Sequence, residues 1–521
     1  MAFIGPDYLF VNLVVVAVTD QLLYDVYYID DLYPDKILLN SIIMHLIYKI
    51  KQLALLILFI SLITIQMGCK KFVQIPSPIT QLVTSSVFNN NATATSALIN
   101  IYQQMYNKAE SYYLAQQTGL VGDELTNYST GIFNIQLYAN SMVASTTFGP
   151  WNDAYSYIYQ ANAILEGLQN NVAISSAIRN QLSGEAKFIR AFWNFYLTNC
   201  YGDIPLVIST NYSVNGAIAR TPKMQVYQQI ITDLKDAQNL LNGNFVDASD
   251  TTVTSERVRP TKWAATALLA RAYLYSNDYV NAEVQSTSVI NNAGTGMFSL
   301  VTDLTKVFKM NSSEAIWQLG IPLPNTINTY DGFYFILQGA PNSQAISPQL
   351  MSAFEANDNR KTSWIASYST TTTPIKIFYY PYKYRVYNVQ AISEYTMVLR
   401  LAEQYLIRAE ARARGAGSGL SGAISDLNVI RVRAGLAIYA GASDQTSVIN
   451  AILHERQVEL FTEWGNRWFD MIRTGNVNAI MGAPGNVCQA KGGSWNSNWQ
   501  LFPIPQTEIN NDPNLTQNTG Y

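Results

Sequence analysis

Charged side chains and histidine are both scarce in this sequence. Asp, Glu, Lys and Arg make up 13% of the 521 residues, about half of their share in an ordinary soluble protein. The formal net charge is −3 and no basic block occurs, which argues against a nucleic-acid partner. Two histidines, His45 and His454, are too few for a three-histidine zinc site and argue against a Ser–His triad. We therefore expect no metal and no cofactor.

Cysteine is almost absent as well. The three cysteines are Cys69, Cys200 and Cys488, and they do not form a spaced disulfide framework. Cys200 and Cys488 could pair with each other, or they could be two buried thiols, which is the common fate of free cysteine. The sequence leaves this choice open.

Aromatic residues are plentiful by contrast. They make up 12% of the chain, and tyrosine dominates them, with 34 Tyr beside 9 Trp. A ring face can stack on the apolar C–H face of a sugar or on another ring, and a tyrosine hydroxyl adds a hydrogen bond. Rings in helices are core by default, so the rings in loops are the better candidates for a binding surface.

An apolar run near the N-terminus stops abruptly at a cysteine. Residues 53–67 are almost all apolar, but a membrane-spanning helix needs about 20 such residues. Lys49 and Lys51 precede the run, and Gly68 and Cys69 follow it. A positive region, a short apolar region and a small residue form the layout of a secretory signal, and the cysteine makes it resemble a bacterial lipoprotein signal. We predict a signal peptide over 44–68 and lipidation of Cys69.

The segments on either side of this signal differ in character. Residues 1–43 carry six Asp and one Lys and fit no export signal, so we interpret them as a doubtful upstream extension. The alternative is a genuine second hydrophobic segment. Residues 69–85 are short, polar and contain proline, which is typical of a tether. Lys70 and Lys71 stand where some surface-exported lipoproteins carry acidic residues.

The rest of the chain, 86–521, has helical periodicity and two related units. The first is "RPTKWAATALLARAYLYSNDYVNAEVQSTSVI" and the second is "LRLAEQYLIRAEARARGAGSGLSGAISDLNVIRVRAGL". Small residues recur where two helices must approach closely, as in a tetratricopeptide unit. Residues 294–395 separate the units and read as loops with a few short strands. We predict an all-α fold of tetratricopeptide-like hairpins with this loop-rich insertion.

Several motifs that suggest chemistry are better explained by structure. Gly417, Gly419 and Gly422 match a dinucleotide-binding pattern, but a helix precedes them where a strand is required, so we predict a turn between helices. "HERQVEL" lacks the second histidine of a zinc-protease helix. Acids alternate with arginines on the late helices, which predicts ion pairs between packed helices rather than catalysis; these residues are Arg400, Glu403, Arg408, Glu410, Glu463, Arg467, Asp470 and Arg473. For Glu455, Arg456 and Glu459 we expect ion pairs either at the surface or between helices.

Five segments, in the expected order, resemble the SusD/RagB family of outer-membrane lipoproteins. They are "GEAKFIRAFWNFYLTNCYGDIPLV", "RPTKWAATALLARAYLY" with "LRLAEQYLIRAEARA", "DLNVIRVRAGL", "ERQVELFTEWGNRWFDMIRTG" and the terminal "LFPIPQTEINNDPNLTQNTGY". The resemblance covers nearly all of 69–521. Asn466 and Thr519 depart from the usual histidine and proline, and both lie in structural motifs.

This resemblance implies a non-catalytic glycan-binding lipoprotein that works with a TonB-dependent, SusC-like transporter in nutrient uptake. It implies an oligosaccharide ligand, a lipid anchor and a cell-surface position on the outer membrane. The sugar sites of the family vary, so the candidate residues rest on position in the loop after the first helix and in the insertion. They are Asp123, Asn127, Tyr128, Tyr330, Phe333, Tyr334, Trp364 and Tyr368.

Three alternatives stay open at this point. The same complex could capture peptides or another nutrient instead of sugar. A glycoside hydrolase would need two working carboxylates, for which Asp123 and Glu124 are the loop candidates. A pure scaffold would bind protein only through its helical repeats. The identity of the ligand and the presence of a calcium ion do not follow from the sequence.

Overall fold

The computed structural model describes residues 37–66, 87–292, 296–322, 327–388 and 391–521. The chain divides into two compact units, Met1–Gln81 and Leu82–Tyr521. The first unit contains helix α1, Ile37–Gln66. Cys69, the tether and most of the doubtful extension lie outside the described residues. Among the helices that are described, none has the length and apolar character needed to cross a membrane.

The second unit is built mainly from helices. In chain order they are α2 Asn91–Asn107, α3 Glu110–Val121, α4 Ile132–Tyr138, α5 Trp151–Leu168, α6 Ser176–Tyr201, α7 Tyr212–Asn215, α8 Lys223–Leu240, α9 Lys262–Tyr275, α10 Tyr279–Asn292, α11 Tyr330–Phe335, α12 Pro348–Ala353, α13 Asn359–Ser363, α14 Leu401–Ala413, α15 Gly419–Arg433, α16 Gln445–Glu459, α17 Asn466–Arg473, α18 Val477–Met481, α19 Val487–Ala490 and α20 Gln506–Asn511. Two short 3-10 helices, Leu304–Lys306 and Ser497–Gln500, lie among them.

Short strands pair only in twos among the described residues. The strands are β1 Leu125–Asn127, β2 Ile204–Pro205, β3 Arg220–Thr221, β4 Ala315–Leu319, β5 Gln344–Ile346, β6 Ile365–Ser369, β7 Ile377–Pro381 and β8 Thr396–Arg400. The antiparallel pairs are β1–β5, β2–β3, β4–β8 and β6–β7. The first pair matters most for function, because it joins the loop after α3 to the insertion, with Leu125 opposite Ile346. The predicted all-α scaffold with a few strands in the insertion is confirmed.

The two predicted hairpins are present and lie side by side. Helices α9 and α10 form one hairpin, α14 and α15 form the other, and α10 packs directly on α14. Fully buried alanines, among them Ala267, Ala282 and Ala423, lie in these helices, because a methyl group is small enough to let two helices approach closely. The insertion therefore leaves the scaffold after α10 and returns to it before α14, although the hairpins are neighbours in space.

Helix α6 forms the centre of the core. It begins at Ser176 and ends at Tyr201, and Gly202 follows with φ +78°, a conformation that glycine adopts without a Cβ penalty. Its rings meet rings from distant segments edge to face, as Phe192 does with Trp317 at 5.6 Å and with Trp464 at 5.3 Å. Such aromatic pairs stabilise beyond their buried area by about 0.5–1.5 kcal/mol each.

Ion pairs join the late helices inside the core, as predicted, although Arg400 is the last residue of strand β8 and not part of a helix. Arg400 contacts Glu314, Glu459 and Glu463, and Arg473 contacts Glu410 at 2.6 Å and Asp470 at 2.8 Å. The guanidiniums hold the pKa of Glu459 well below its usual range, against the effect of burial. Removing one partner of a buried pair leaves an uncompensated charge, so these residues are structural.

The remaining sequence predictions concern single residues. Gly417 lies in the turn between α14 and α15 and Gly419 is the first residue of α15, both with positive φ, so the glycine-rich motif spans a helix–helix turn and the start of a helix. The Nε2 atom of His454 contacts the carbonyl of Ala353 at 2.7 Å. Cys200 and Cys488 are both buried free thiols, which settles the choice that the sequence left open.

Candidate functional site

Helix α11 carries three of the predicted ligand-binding rings, Tyr330, Phe333 and Tyr334. The helix begins after Thr329, whose hydroxyl accepts a hydrogen bond from the backbone N–H of Gly332 at 3.0 Å. Gly332 is required by close packing, because a Cβ there would lie 2.6 Å from the carbonyl oxygen of Val386. The cap and the glycine together fix α11 against the segment that follows β7.

Phe333 and Tyr334, together with aromatic side chains of α3, line a cleft of about 600 Å³, which Tyr330 does not line. Tyr334 packs on Tyr112 with ring centroids 4.6 Å apart and on Tyr330 at 5.9 Å. Phe333 stacks on Tyr387 at 5.6 Å with an interplanar angle of 5°. The residues that line the cleft are Tyr112, Tyr113, Gln116, Phe133, Asn134, Phe333, Tyr334, Ile336, Leu337, Gln338, Gly339, Ala340, Asn342, Ser343 and Tyr387.

The floor of the cleft is held by a network of neutral hydrogen bonds. The Nε2 atom of Gln116 donates to Gln344 Oε1 at 2.8 Å and to Ser343 Oγ at 3.1 Å. The hydroxyl of Tyr112 donates to the same Gln344 oxygen at 3.3 Å. Because Gln344 lies on β5, which pairs with β1, this network connects α3, the loop after it and the insertion.

The rim carries amides that have no partner in the described part of the protein. The side chains of Asn134, Gln338 and Asn342 line the cleft and make no hydrogen bond there. Burial raises the pKa of the Tyr334 hydroxyl, and the neighbouring Tyr113 raises it further. This hydroxyl is therefore protonated and able to donate at neutral pH. None of the lining residues carries a formal charge.

Tyr128 and Tyr368 are accessible but do not line this cleft. Tyr128 is 41% exposed and meets Phe378 of β7 edge to face at 5.3 Å. Tyr368 is half-buried on β6, directly opposite Phe378 in the hairpin register. Both tyrosines are thus neighbours of Phe378.

Two polar candidates are already engaged within the fold. Asn127 closes a local turn, accepting from the backbone N–H of Ser129 at 2.9 Å. Asp123 is buried, and Arg467 donates to its carboxylate from Nη2 at 2.6 Å and from Nε at 3.0 Å. The geometry does not favour the predicted role of Asp123 in bonding sugar hydroxyls, because its oxygens hold the arginine.

The geometry also argues against the prediction that Trp364 contacts a ligand. Its side chain is fully buried, and its indole N–H donates to the carbonyl of Leu304 at 2.9 Å. Phe308 packs on the ring at 5.7 Å, and the Lys383 ammonium lies 5.0 Å from its centroid. Trp364 is thus buried in a small hydrophobic cluster that is separate from the main core.

Sequence reasoning missed the half of the cleft that α3 and α4 provide. Tyr112, Tyr113 and Gln116 lie on α3, and Phe133 and Asn134 lie on α4. The adjacent tyrosines were a usable signal, because one helix face cannot bury both: Tyr112 is 4% exposed and Tyr113 is 44% exposed.

Within the described residues no group of three or more His, Cys, Asp or Glu side chains is placed to hold a metal ion. The chemistry that the cleft offers is therefore stacking on flat rings and hydrogen bonding by neutral donors and acceptors.

Comparisons with known proteins identify related sequences and folds. The profile of the SusD family matches residues 333–521, and a profile described as "Starch-binding associating with outer membrane" matches residues 71–274. SusD-like protein P2 of Formosa agariphila is 27% identical over 89% of this chain and 99% of its own length. The starch-binding protein SusD of Bacteroides thetaiotaomicron is 34% identical over 24% of this chain and 21% of its own length.

Solved structures share the fold. A SusD superfamily protein from Bacteroides vulgatus superposes with a TM-score of 0.70 at 22% identity, covering 83% of this chain and 100% of that one. Surface glycan-binding protein A from Bacteroides uniformis superposes with a TM-score of 0.66 at 22% identity, covering 82% and 98%. From the two profiles, which match residues 71–274 and 333–521, and from the relatives, the chain belongs to the SusD/RagB family.

Proposed function

We propose that this protein is a non-catalytic glycan-binding lipoprotein of the outer membrane, which delivers oligosaccharide to a TonB-dependent, SusC-like transporter. The observation that carries the proposal is the uncharged cleft in which the rings of α3 and α11 meet. A pyranose presents apolar C–H faces and a belt of neutral hydroxyls, and the cleft offers aromatic faces beside neutral amides. The profile described as starch-binding and associated with the outer membrane supports both the ligand class and the location.

The absence of a charged lining residue favours sugar over most peptides. A peptide carries charged termini and side chains, which would need charged partners if they were removed from water. Capture of an uncharged peptide is the alternative that remains, and a tryptic digest of a carbohydrate-free protein tests it as a competitor.

The positions of the two candidate catalytic acids, Asp123 and Glu124, support binding without catalysis. A glycosidase needs two carboxyl groups beside the scissile bond. Asp123 is engaged by Arg467, and Glu124 is 2% exposed and accepts from the backbone N–H of Thr462 at 3.3 Å. Neither lines the cleft. Incubation with a bound polysaccharide is therefore expected to release no reducing sugar.

The test of the proposal is affinity gel electrophoresis of the purified protein in gels containing amylopectin, xyloglucan or laminarin. We expect at least one polysaccharide to retard the wild-type protein. Tyr334→Ala removes the ring that faces Tyr112 and Tyr330, and we expect it to weaken the apparent affinity about three- to tenfold, as the loss of one aromatic contact would.

Tyr159→Ala is the matched control, because Tyr159 is 52% exposed on α5 and lines none of the cavities described. It is expected to migrate like the wild type in every gel. Equal retardation of Tyr334→Ala and the wild type would contradict the cleft as the binding site. Free migration of the wild type in all three gels would contradict the proposed ligand class.

A further inference from the structure

A second cavity of about 520 Å³ lies in the C-terminal segment, outside the cleft between α3 and α11. It is formed by α18, α19 and the turn that leads to the 3-10 helix Ser497–Gln500. Its lining residues are Asn478, Met481, Gly482, Ala483, Asn486, Gln489, Gly493, Ser494, Trp495 and Ser497.

The indole of Trp495 is the one aromatic side chain of this lining, and two contacts fix its orientation. Its Nε1–H donates to Asn478 Oδ1 at 2.9 Å, and Trp468 meets the ring edge to face at 6.3 Å. Gly482 lies close to the ring, since a Cβ there would be 3.0 Å from Trp495 Cδ1. The ring is half-buried, so it is held in place without being enclosed by protein.

The polar groups around the indole are neutral and unused. Asn486, Gln489, Ser494 and Ser497 are exposed, and their side chains make no hydrogen bond within the ranges that the structure describes. Two carboxamides and two hydroxyls thus surround one aromatic ring, and the lining carries no formal charge. A charged ligand would find no counter-ion here, whereas a polyhydroxylated neutral ring would find both a stacking surface and hydrogen-bond partners.

The second cavity and the first cleft lie at opposite ends of the same short helix. Phe133 and Asn134, near the start of α4, line the cleft. Just beyond its end, Gly493 of the second cavity packs so closely on the carbonyl of Ala139 that a Cβ would lie 2.4 Å away. Helix α4 has 7 residues and is therefore about 10 Å long. A lysine strengthens this junction, because Lys491 Nζ donates to the carbonyls of residues 120–122 at 2.7–3.0 Å.

We propose that the Trp495 cavity is a second subsite for neutral glycan, so that one polysaccharide contacts the protein on both sides of α4. This inference rests on the proposed function for its ligand class but concerns a different set of residues. Two weak sites on one chain strengthen each other, because binding at the first raises the effective concentration at the second. Polysaccharide is therefore retained more strongly than a short fragment that fills one site.

The test uses the same gels of amylopectin, xyloglucan and laminarin with the full protein. Trp495→Ala is expected to weaken the apparent affinity about three- to tenfold in the gel that retards the wild type. Trp495 contacts Trp468, so its replacement also removes packing, and a second variant that leaves the fold undisturbed is needed. Gln489→Ala combined with Ser494→Ala changes two exposed side chains that make no internal hydrogen bond. This double variant is expected to weaken retardation at least twofold.

Trp499→Ala is the matched control. Trp499 lies four residues away on the 3-10 helix, is half-buried, donates weakly to Gly520 at 3.4 Å and does not line the cavity. It is expected to migrate like the wild type in each gel. Unchanged retardation of both the Trp495 variant and the double variant would overturn the second subsite.

The outcomes for the two sites are separable. If Tyr334→Ala weakens retardation and both second-site variants do not, the proposed function stands and this inference falls. If the second-site variants weaken retardation and Tyr334→Ala does not, glycan binding at the Trp495 cavity stands, whereas the cleft and contact on both sides of α4 are overturned. If none of the three polysaccharides retards the wild type, both are overturned.

Discussion

At the scale of single residues, burial moves the pKa of several carboxyl groups upward. Glu110, 6% exposed at the start of α3, has its pKa raised to about 8, mainly by desolvation. The nearby Asp153 raises it further, while the Tyr157 hydroxyl, which donates to Glu110 at 2.8 Å, and Lys108 lower it. Similar burial raises the pKa of Asp331 to about 7. These groups make the stability of the fold depend on pH.

We expect Glu110→Gln to flatten part of this dependence. The folded-state pKa lies above the unfolded value of about 4.3, so the folded protein holds the extra proton. The contribution of protonated Glu110 to the free energy of unfolding is complete below about pH 4 and is lost as the pH rises to 8. The variant keeps an oxygen for Tyr157 and cannot ionise. At pH 9 its free energy of unfolding should therefore be higher than that of the wild type by about 1 kcal/mol or more.

Denaturant titrations at pH 5 and pH 9 measure this difference. The gain in free energy of unfolding of Glu110→Gln over the wild type should shrink toward zero at pH 5, where Glu110 is protonated in the folded protein. Glu508→Gln, at a half-buried glutamate of α20 that makes no ion pair in the described part of the chain, serves as control and should give the same difference at both pH values. An equal effect of Glu110→Gln at pH 5 and pH 9 would contradict the assignment.

At the scale of secondary structure, the sequence was informative about helices and poor on loops. The hairpins α9–α10 and α14–α15 could be predicted because alanine spacing and helical periodicity are local signals. The depth of a loop residue is decided by distant segments. Trp364 is covered by Phe308, Lys383 and Phe461, all far from it in sequence, so no local pattern could show its burial. The charged residues of the late helices were predictable, since alternating signs need partners.

The packing of helix α11 depends on the absence of a side chain at Gly332, and replacing this glycine tests that dependence. In Gly332→Ala the new methyl group would collide with the Val386 carbonyl at 2.6 Å and lie 3.2 Å from Tyr384 Cβ. Helix α11 must then move away from this segment, which separates Phe333 from Tyr387. We expect a loss of about 1–3 kcal/mol in stability and at least threefold weaker retardation in the polysaccharide gel.

Gly243→Ala is the appropriate comparison for this variant, because a Cβ there would meet only Lys262 side-chain atoms at 3.5 Å or more. It should leave both stability and retardation close to the wild type. Unaltered retardation of a folded Gly332→Ala protein would mean that the position of α11 does not control the cleft.

At the scale of the whole molecule, the helical hairpins and the binding surface are separate parts of one fold. The hairpins pack on each other through α10 and α14, while the rings of the cleft come from α3, α4, α11 and the segment after β7. This separation would let the proposed ligand site vary without disturbing the scaffold. It also explains why the family could be identified from scaffold motifs, whereas only Phe333 and Tyr334 of the eight proposed ligand residues line the cleft.

Membrane attachment is a second prediction about the whole molecule, and it rests on the sequence alone. The apolar run, Gly68 and Cys69 predict that the Cys69 thiol carries a diacylglyceryl group. A single acyl chain binds a membrane only marginally and reversibly, whereas two signals give stable anchoring. A diacylglyceryl group supplies two chains, so the wild-type protein should sediment with membranes and incorporate labelled palmitate.

Cys69→Ser removes the acceptor sulfur, so the labelled lipid should be lost and the protein should leave the outer-membrane fraction or remain as an unprocessed precursor. Cys488→Ser is the matched control, because that thiol is buried in the folded domain and cannot be the lipid acceptor. Palmitate incorporation into the Cys69→Ser protein at the wild-type level would disprove the anchor. It would leave glycan binding by the cleft untouched, because that property depends only on residues of the folded domain.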